Sequence, residues 1–163
     1  MSDASILRVT TSGDREIVIA RDFRAPQQLV FDAYTKPELL RRWFGPHGYT
    51  LVACDIDLHV DGHWRYVVRG PDGTTMTLQG YFQEVVRPEV LITTQTFDEG
   101  DYIADNASLC TTTFLERDGT TTLTTRVRYP TPDVRDEMAR SGMADGMGGG
   151  YERLADLLVT LND

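Results

Sequence analysis

Cysteine is scarce in this sequence of 163 residues, which contains only two. Two cysteines make neither the disulfide framework of a small secreted protein nor a zinc site. Cys54 and Cys110 both lie in strand-like runs, where a small buried thiol is the usual role of an isolated cysteine. We therefore expect both thiols to be buried parts of the core.

Long apolar runs and an excess of basic charge are also missing. No run approaches the length of about 20 residues that a membrane-spanning helix needs, and the N-terminus lacks the layout of a signal peptide. The formal net charge is −9, with 25 acidic residues against 16 basic ones. This balance argues against nucleic acid and anionic membranes as main partners. We expect a cytoplasmic protein that binds neither.

The most regular stretch is the C-terminal one, from Ser141 to Leu161. Its apolar side chains recur at steps of three and four, which predicts one buried stripe on a long helix. The stripe consists of Met143, Met147, Tyr151, Leu154, Leu158 and Leu161. Several glycines interrupt its first half, and each costs about 0.5–1 kcal/mol in a helix relative to alanine. Several glycines within one helix are typical of a kink, of a close approach of the helix backbone to a sheet, or of space left for a ligand. Our hypothesis is that Gly146 and Gly150 leave such room.

The sequence before this helix has the alternation of an antiparallel sheet. Glu16–Phe23 has the β-branched content of a strand. Two short helices follow it, and the second is predicted to begin with a capping box at Thr35–Glu38. From Tyr49 onward about six strands are separated by turns of hairpin length. The predicted class is α+β, with about six to seven antiparallel strands packed on helices. Residues 15–163 are predicted to form one domain. Residues 1–14 are predicted to be flexible, apart from a possible short strand at Ile6–Val9.

The strand after Tyr49 has a polar face with acidic and histidine side chains. Its even positions from Val52 to Val60 are apolar and predicted to be buried, whereas the polar positions are predicted to be exposed. The polar set is Asp55, Asp57, His59, Asp61 and His63. These residue types bind metals, but neighbours on one strand face stand about 6.5–7 Å apart, too far for several to reach one ion. We therefore predict cross-strand charge pairs and no metal site.

Catalytic groups are few. No histidine lies in an apolar strand beside Ser108 or either cysteine, and a Cys–His pair would need His47 to fold back over a cavity mouth. Glu84 is the candidate acid or base, because strand alternation places it on the inward face after Gly80 and Phe82. The alternative, which we favour, is a carboxylate at the rim that is paired with an arginine or a backbone amide.

Several short motifs occur in order from about Glu16 to the C-terminus. They are Ala25-Pro26 with Val30–Tyr34, Pro37-Glu38 with Trp43–Pro46, Gly62 with Trp64, Gly70–Gly73, Gly80 with Glu84-Val85 and Pro88, and Ser141–Met143 with Gly146-Met147, Tyr151, Leu154, Leu157 and Leu158. On these motifs the chain resembles the START-like (SRPBCC, helix-grip) superfamily. Within it, the chain resembles the bacterial proteins related to the C-terminal domain of the activator of the heat shock protein 90 ATPase. It departs from them at His63, where they usually carry a second glycine, and at Gly148–Gly150.

The resemblance implies a helix-grip fold, in which a curved antiparallel sheet surrounds a long C-terminal helix and two short helices follow the first strand. Members of the superfamily bind lipids, hormones or aromatic ligands, and some are cyclases or hydrolases. Because one fold supports so many activities, the resemblance alone does not determine the function.

An inward-facing set of aromatic and sulfur-containing side chains is the candidate lining of a cavity between sheet and helix. The set comprises Trp43, Phe44, Trp64, Tyr66, Met76, Phe82, Phe114, Met143, Met147 and Tyr151, and Thr94, Thr112 and Thr125 add hydroxyls. Ordinary core packing is the alternative for any single member. A mostly apolar cavity with a few polar groups is what a small-molecule site requires. We therefore predict that the protein binds a small apolar or aromatic molecule.

Two other functions stay open. The nearest named relatives suggest a co-chaperone-like domain with a chaperone as its partner. An enzyme that uses Glu84 or Tyr66 for acid–base chemistry in the same cavity is the other alternative. We predict no cofactor, and we expect a monomer or a homodimer.

Overall fold

The computed structural model describes residues 6–98 and 107–162 of the chain. Its elements are β1 (Arg8–Ser12), β2 (Glu16–Phe23), α1 (Gln27–Thr35), α2 (Pro37–Leu40), β3 (Thr50–Ile56), β4 (His63–Arg69), β5 (Thr75–Val86), β6 (Val90–Asp98), β7 (Ser108–Arg117), β8 (Thr120–Arg128), α3 (Pro132–Arg140) and α4 (Met143–Leu161). All of these strands belong to one antiparallel sheet with the order β1-β2-β8-β7-β6-β5-β4-β3. The sheet curves around α4, so the predicted α+β helix-grip fold is confirmed.

The sheet has eight strands rather than six or seven. The additional strand is β1, which overlaps the possible short strand at Ile6–Val9 and continues to Ser12, in a segment otherwise predicted to be flexible. Arg8 pairs with Ala20 and Ser12 pairs with Glu16, so β1 forms a hairpin with β2 across the turn Gly13–Arg15. Most of its side chains are exposed, which explains why its sequence carries little apolar signal.

The two short helices lie where they were predicted, between β2 and β3, but the predicted capping box is wrong. α2 begins at Pro37, and its N-cap is Lys36, which makes no side-chain cap bond. Thr35 instead ends α1, where its hydroxyl donates to the carbonyl oxygen of Phe31 at 2.8 Å. This bond within α1 uses the side chain that a cap would have required.

The predicted alternation along β3 holds in its middle and fails at its ends. Asp55, Asp57 and His59 are exposed, as predicted. A bulge between Leu51 and Ala53 shifts the register, so the buried side chain near the start is that of Leu51. At the other end, Val60 is 53% exposed because the chain has left the sheet after Ile56 and turns towards β4.

The C-terminal region contains the short helix α3 followed by the long helix α4, which begins at Met143 rather than at Ser141. Gly142 stands between α3 and α4 with φ at +82°, a left-handed conformation that glycine adopts without steric cost. The second half of α4 packs into the core, where Leu154, Leu157 and Leu158 are buried. They belong to the same core cluster as side chains of α1 and inward side chains of β2 and β8, such as Ile19 and Leu123. Within the described ranges, no helix has both the length and the apolar character needed to span a bilayer.

Candidate ligand-binding site

A cavity of about 590 Å³ lies between the concave face of the sheet and the first half of α4. Its walls come from inward positions of β3 to β8 and Tyr129, from the end of α1, from residues 43–46 after α2, from Met138 of α3 and the junction at 141–142, and from α4 itself. On α4 the lining consists of Met147 and Tyr151 together with Gly146 and Gly150, which have no side chains to fill the space. Protein interiors contain few voids larger than a water molecule, so a space of this size is a feature of the fold and not a packing defect.

Aromatic rings form a continuous wall on one side of the cavity. Trp64 contacts Tyr66 with ring centroids 4.8 Å apart, and Tyr66 contacts Phe44 at 5.1 Å. Trp43 extends the wall, with its ring 5.8 Å from that of Phe44 and 6.0 Å from that of Tyr151. The polar N–H of each indole is paired with the backbone: Trp43 donates to Ala33 at 2.9 Å and Trp64 donates to Thr94 at 3.2 Å. The rings therefore present apolar surface to the cavity.

Four lining residues on α1, β7, β8 and α4 carry hydroxyls, and we call them the hydroxyl cluster: Tyr34, Thr112, Thr125 and Tyr151. Thr112 and Thr125 lie beside the phenol of Tyr34, and Thr125 also lies beside that of Tyr151. Among the described residues, however, neither Thr125 Oγ1 nor Tyr151 Oη has a partner in hydrogen-bonding geometry, although both atoms are buried. Nearly all buried polar atoms in proteins are paired, so these two hydroxyls call for an explanation.

Burial keeps the ionisable groups of the cavity neutral. It raises the pKa of Tyr34, Tyr66 and Tyr151 above the ordinary value, and the neighbouring phenol or thiol groups raise it further. Burial also raises the pKa of the Cys110 thiol to about 12. The Cys110 thiol donates to the side-chain oxygen of Gln95 at 3.3 Å. At neutral pH the cavity therefore offers protonated hydroxyls and an unreactive thiol, and not a thiolate nucleophile.

Most of the predicted lining residues meet at this cavity. Those that line it are Trp43, Phe44, Trp64, Tyr66, Met76, Phe82, Met147 and Tyr151, together with Thr112 and Thr125. Phe114 does not line it; its ring packs in the core against Phe31 and Tyr34. The side chain of Met143 lies outside the described part of the chain. Whether any of these residues contacts a ligand stays a prediction.

Thr94 of β6, a predicted lining residue, does not line the cavity. Thr93 and Gln95 line the cavity, and Thr94 between them points to the other face of the sheet. The hydroxyl of Thr94 accepts the backbone N–H of Tyr81 at 2.9 Å. The alternation of side chains along β6 could have identified Thr93. The buried Leu91 lies two residues before Thr93 and therefore faces the same side of the sheet.

Glu84 does not face the cavity. A bulge between Phe82 and Glu84 inserts one residue into β5. After the bulge, each side chain points to the face opposite to the one that simple alternation predicts. Phe82 is buried, Glu84 is exposed, and Val85 is the next side chain that packs against the core. The candidate acid–base role of Glu84 in the cavity therefore lacks the geometry that the strand alternation predicted.

The glycines of α4 allow a close approach, but the approaching segment is a loop and not the sheet. A Cβ on Gly146 would lie 3.1 Å from Pro46 Cγ, and one on Gly150 would lie 3.2 Å from the carbonyl oxygen of Trp43 and 3.3 Å from that of Gly45. Residues 43–47, which we call the α2 loop, thus lie directly on the glycine-rich turns of α4. The glycines serve this packing, and Gly146 and Gly150 also border the cavity.

Arg153 ties the α2 loop to the helix one turn further along. Its guanidinium donates to the carbonyl oxygens of Trp43, at 3.1 Å, and Gly45. It also donates to Nδ1 of His47 at 3.4 Å, and the ring of His47 lies over Gly149. His47 is therefore a partner of Arg153 at the edge of the site and does not reach Cys110 or Cys54.

In the polar set near the β3–β4 hairpin, the charge pair joins two residues of one segment and is not the predicted pair across two strands. Nε2 of His59 lies 2.9 Å from a carboxylate oxygen of Asp57. The pKa of His59 is raised by the bond of its ring to the carbonyl oxygen of Val60 and by the charge of Asp57. His63 lies apart from them and contacts Gln79 at 3.1 Å. In residues 6–98 and 107–162, no three histidine, cysteine or acidic side chains come close enough together to hold a metal ion.

Several known proteins resemble this chain over most of its length. The model of a family described as Activator of Hsp90 ATPase homolog 1-like protein matches residues 24–159. A crystal structure from Rhodobacter sphaeroides is 30% identical, covers 94% of this chain and 99% of its own, and has a TM-score of 0.86. A crystal structure from Nitrosomonas europaea is 25% identical, covers 93% and 98%, and has a TM-score of 0.83. The AHSA1 protein of Silicibacter pomeroyi has the same fold at 20% identity, with a TM-score of 0.74 over 89% and 98% of the two chains. No curated protein matches the chain.

Proposed function

The chain belongs to the family of Activator of Hsp90 ATPase homolog 1-like proteins, and on that premise we propose that it binds a small apolar or aromatic molecule in the cavity between the sheet and α4. The observation that carries the proposal is the cavity itself. Its volume of about 590 Å³ falls within the range of about 300–1,000 Å³ that is usual for small-molecule sites. A protein of this size would otherwise close such a space by packing.

The chemistry of the walls supports binding more than catalysis. Among the described residues, those that line the cavity include no aspartate, glutamate, histidine, lysine or arginine. Hydrolases and cyclases that work by acid–base chemistry need a group that exchanges protons near neutral pH. The phenols here have raised pKa values, because burial disfavours their charged form. The aromatic wall and the hydroxyl cluster together resemble a binding site with a few orienting polar groups.

The test is uptake of N-phenylnaphthylamine, a neutral probe that fluoresces when it leaves water. We expect saturable binding to the wild type. Thr93→Phe should abolish or strongly weaken it, because the added ring fills the cavity from β6. Thr111→Phe is the matched control: Thr111 lies on neighbouring β7 between Cys110 and Thr112, which line the cavity, and therefore faces the other side of the sheet. Equal binding by both variants would overturn the proposal.

A chaperone is the other partner that the family's description suggests. Binding of a large partner would use the outer surface and would not need the cavity. A chaperone interaction should therefore survive Thr93→Phe, whereas ligand uptake should not. Native mass spectrometry of the protein purified from cells would add a direct observation, because a retained small molecule appears there as added mass.

A further inference from the structure

The polar groups that line the cavity carry no charge in the described part of the chain. They are Tyr34, Thr35, Tyr66, Thr93, Gln95, Ser108, Cys110, Thr112, Thr125, Tyr129, Ser141 and Tyr151, together with the indoles of Trp43 and Trp64. The buried guanidinium of Arg21 is not among the lining residues; it donates to the backbone carbonyl of Tyr151 at 2.7 Å. An ionised ligand would therefore lose its hydration and find no countercharge, which is strongly unfavourable. The net charge of −9 adds long-range repulsion for anions.

The hydroxyl cluster has unused hydrogen-bonding capacity. Thr125 is 5% exposed and Tyr151 is 2% exposed, and neither hydroxyl has a hydrogen-bond partner among the described residues. Each of these hydroxyls has one proton to donate and lone pairs to accept. A buried hydroxyl without a partner destabilises the fold, so keeping two of them side by side at a cavity wall points to a partner that enters with the ligand.

The cavity wall combines hydroxyl groups with aromatic surface. The hydroxyl cluster lies where α1, β7, β8 and α4 meet, and the rings of Phe44, Trp64 and Tyr66 line the side towards β4. A molecule that fills the whole space contacts both neutral hydroxyls, including that of Tyr66, and aromatic ring surface.

On the premise of the proposed function, we infer that the ligand is an uncharged aromatic molecule with a hydrogen-bond-accepting oxygen, and that this oxygen binds at the hydroxyl cluster through Thr125 and Tyr151. Carboxylates of the same size, including fatty acids, bind poorly. Burial keeps the phenols of Tyr34 and Tyr151 protonated, so both remain donors at neutral pH.

The experiment compares three naphthalenes that displace N-phenylnaphthylamine: acetylnaphthalene, which is neutral with an acceptor oxygen, ethylnaphthalene, which lacks the oxygen, and naphthoate, which is an anion. In the wild type, we expect acetylnaphthalene to bind at least about tenfold more tightly than naphthoate at neutral pH, since an unpaired buried charge is costly. It should also bind more tightly than ethylnaphthalene. This comparison needs no variant.

The double variant Thr125→Val, Tyr151→Phe removes both hydroxyls and keeps the side-chain shapes. It should weaken acetylnaphthalene about five- to fiftyfold, the range expected for the loss of one or two neutral hydrogen bonds, and change ethylnaphthalene less than about twofold. Thr124→Val is the control, because Thr124 alternates with Thr125 along β8 and faces away from the cavity.

The results separate the two proposals. If the wild type takes up neither the probe nor any naphthalene, the proposed function itself fails. If ethylnaphthalene binds and acetylnaphthalene or naphthoate binds no differently, only the inference about the ligand class is overturned. It is likewise overturned if the double variant weakens acetylnaphthalene and ethylnaphthalene to the same degree.

Discussion

Alanine should have opposite effects at two glycines of α4 that lie two residues apart. Gly148→Ala should stabilise the protein, and Gly150→Ala should destabilise it. A Cβ at position 148 would meet only Cδ2 of Leu7, at 3.4 Å, which is an ordinary contact. A Cβ at position 150 would lie 3.2 Å from the carbonyl oxygen of Trp43 and 3.3 Å from that of Gly45. These are backbone atoms and cannot rotate away.

The magnitudes follow from the helix and from the α2 loop. Replacing glycine by alanine inside a helix stabilises the protein by about 0.5–1 kcal/mol. Gly148→Ala should gain this stabilisation in full. At position 150 the two carbonyls must shift by a few tenths of an ångström, and both accept hydrogen bonds from Arg153. A hydrogen bond to a charged group contributes about 1.5–3 kcal/mol, so losing part of two such bonds outweighs the helix term. We expect Gly150→Ala to cost about 1 kcal/mol.

Urea and thermal unfolding of both variants measure this difference. For a chain of this length, 1 kcal/mol corresponds to about 2–4 °C in Tm, so the two variants should melt several degrees apart. In an Arg153→Ala background the α2 loop is released, and the cost of Gly150→Ala should shrink, which a double-mutant cycle detects. Equal stabilisation by both alanines would show that the α2 loop does not press on the helix, and the assignment of the glycines to loop packing would be refuted.

Three further predictions concern the cavity groups. Tyr151→Phe should raise the free energy of unfolding by about 1 kcal/mol in urea titrations, because it removes a buried hydroxyl without a partner; a loss of stability would show that the hydroxyl is bonded. Above about pH 10, stability should fall with rising pH, since Tyr34, Tyr66 and Tyr151 have raised pKa values when folded and ionise first in the unfolded chain. In this pH range each phenol lowers the free energy of unfolding by up to about 1.4 kcal/mol per pH unit. If Tyr151→Phe left the pH dependence of the free energy of unfolding unchanged, the prediction would be contradicted. The thiols of Cys54 and Cys110, whose pKa values burial raises to about 11 and about 12, should react with a disulfide reagent far more slowly in the native protein than in urea; equal rates would contradict their burial.

Local periodicity was sufficient for the fold and for much of the cavity wall. The alternation along β4 placed Trp64 and Tyr66 inward, and the three-and-four spacing of α4 placed Met147 and Tyr151 on the side that faces the sheet. These assignments depend only on geometry that repeats every two or 3.6 residues, which the order of residues in the chain contains directly.

The face of the sheet that a given strand residue occupies, by contrast, depends on how its strand pairs with the next one. The bulge in β5 changed Glu84 from an inward to an outward position, and it arises from pairing with β6. The choice between Thr93 and Thr94 depends in the same way on the register of β6 against its neighbours. A single inserted residue reverses every later side chain, and nothing in the alternation itself shows where the insertion falls.

Only the tertiary structure shows what packs against the glycines of α4. Helical spacing places Gly146 and Gly150 on one side of the helix but does not say what lies there. The α2 loop comes from about a hundred residues earlier in the chain, and Arg153 brings it onto the helix through the carbonyls of Trp43 and Gly45. The same holds for the hydroxyl cluster, whose members come from α1, β7, β8 and α4. Contacts between distant segments leave no periodic mark in the sequence, so the composition of the cavity wall could be predicted in part, whereas its unpartnered hydroxyls and its closing loop could be seen only in the folded chain.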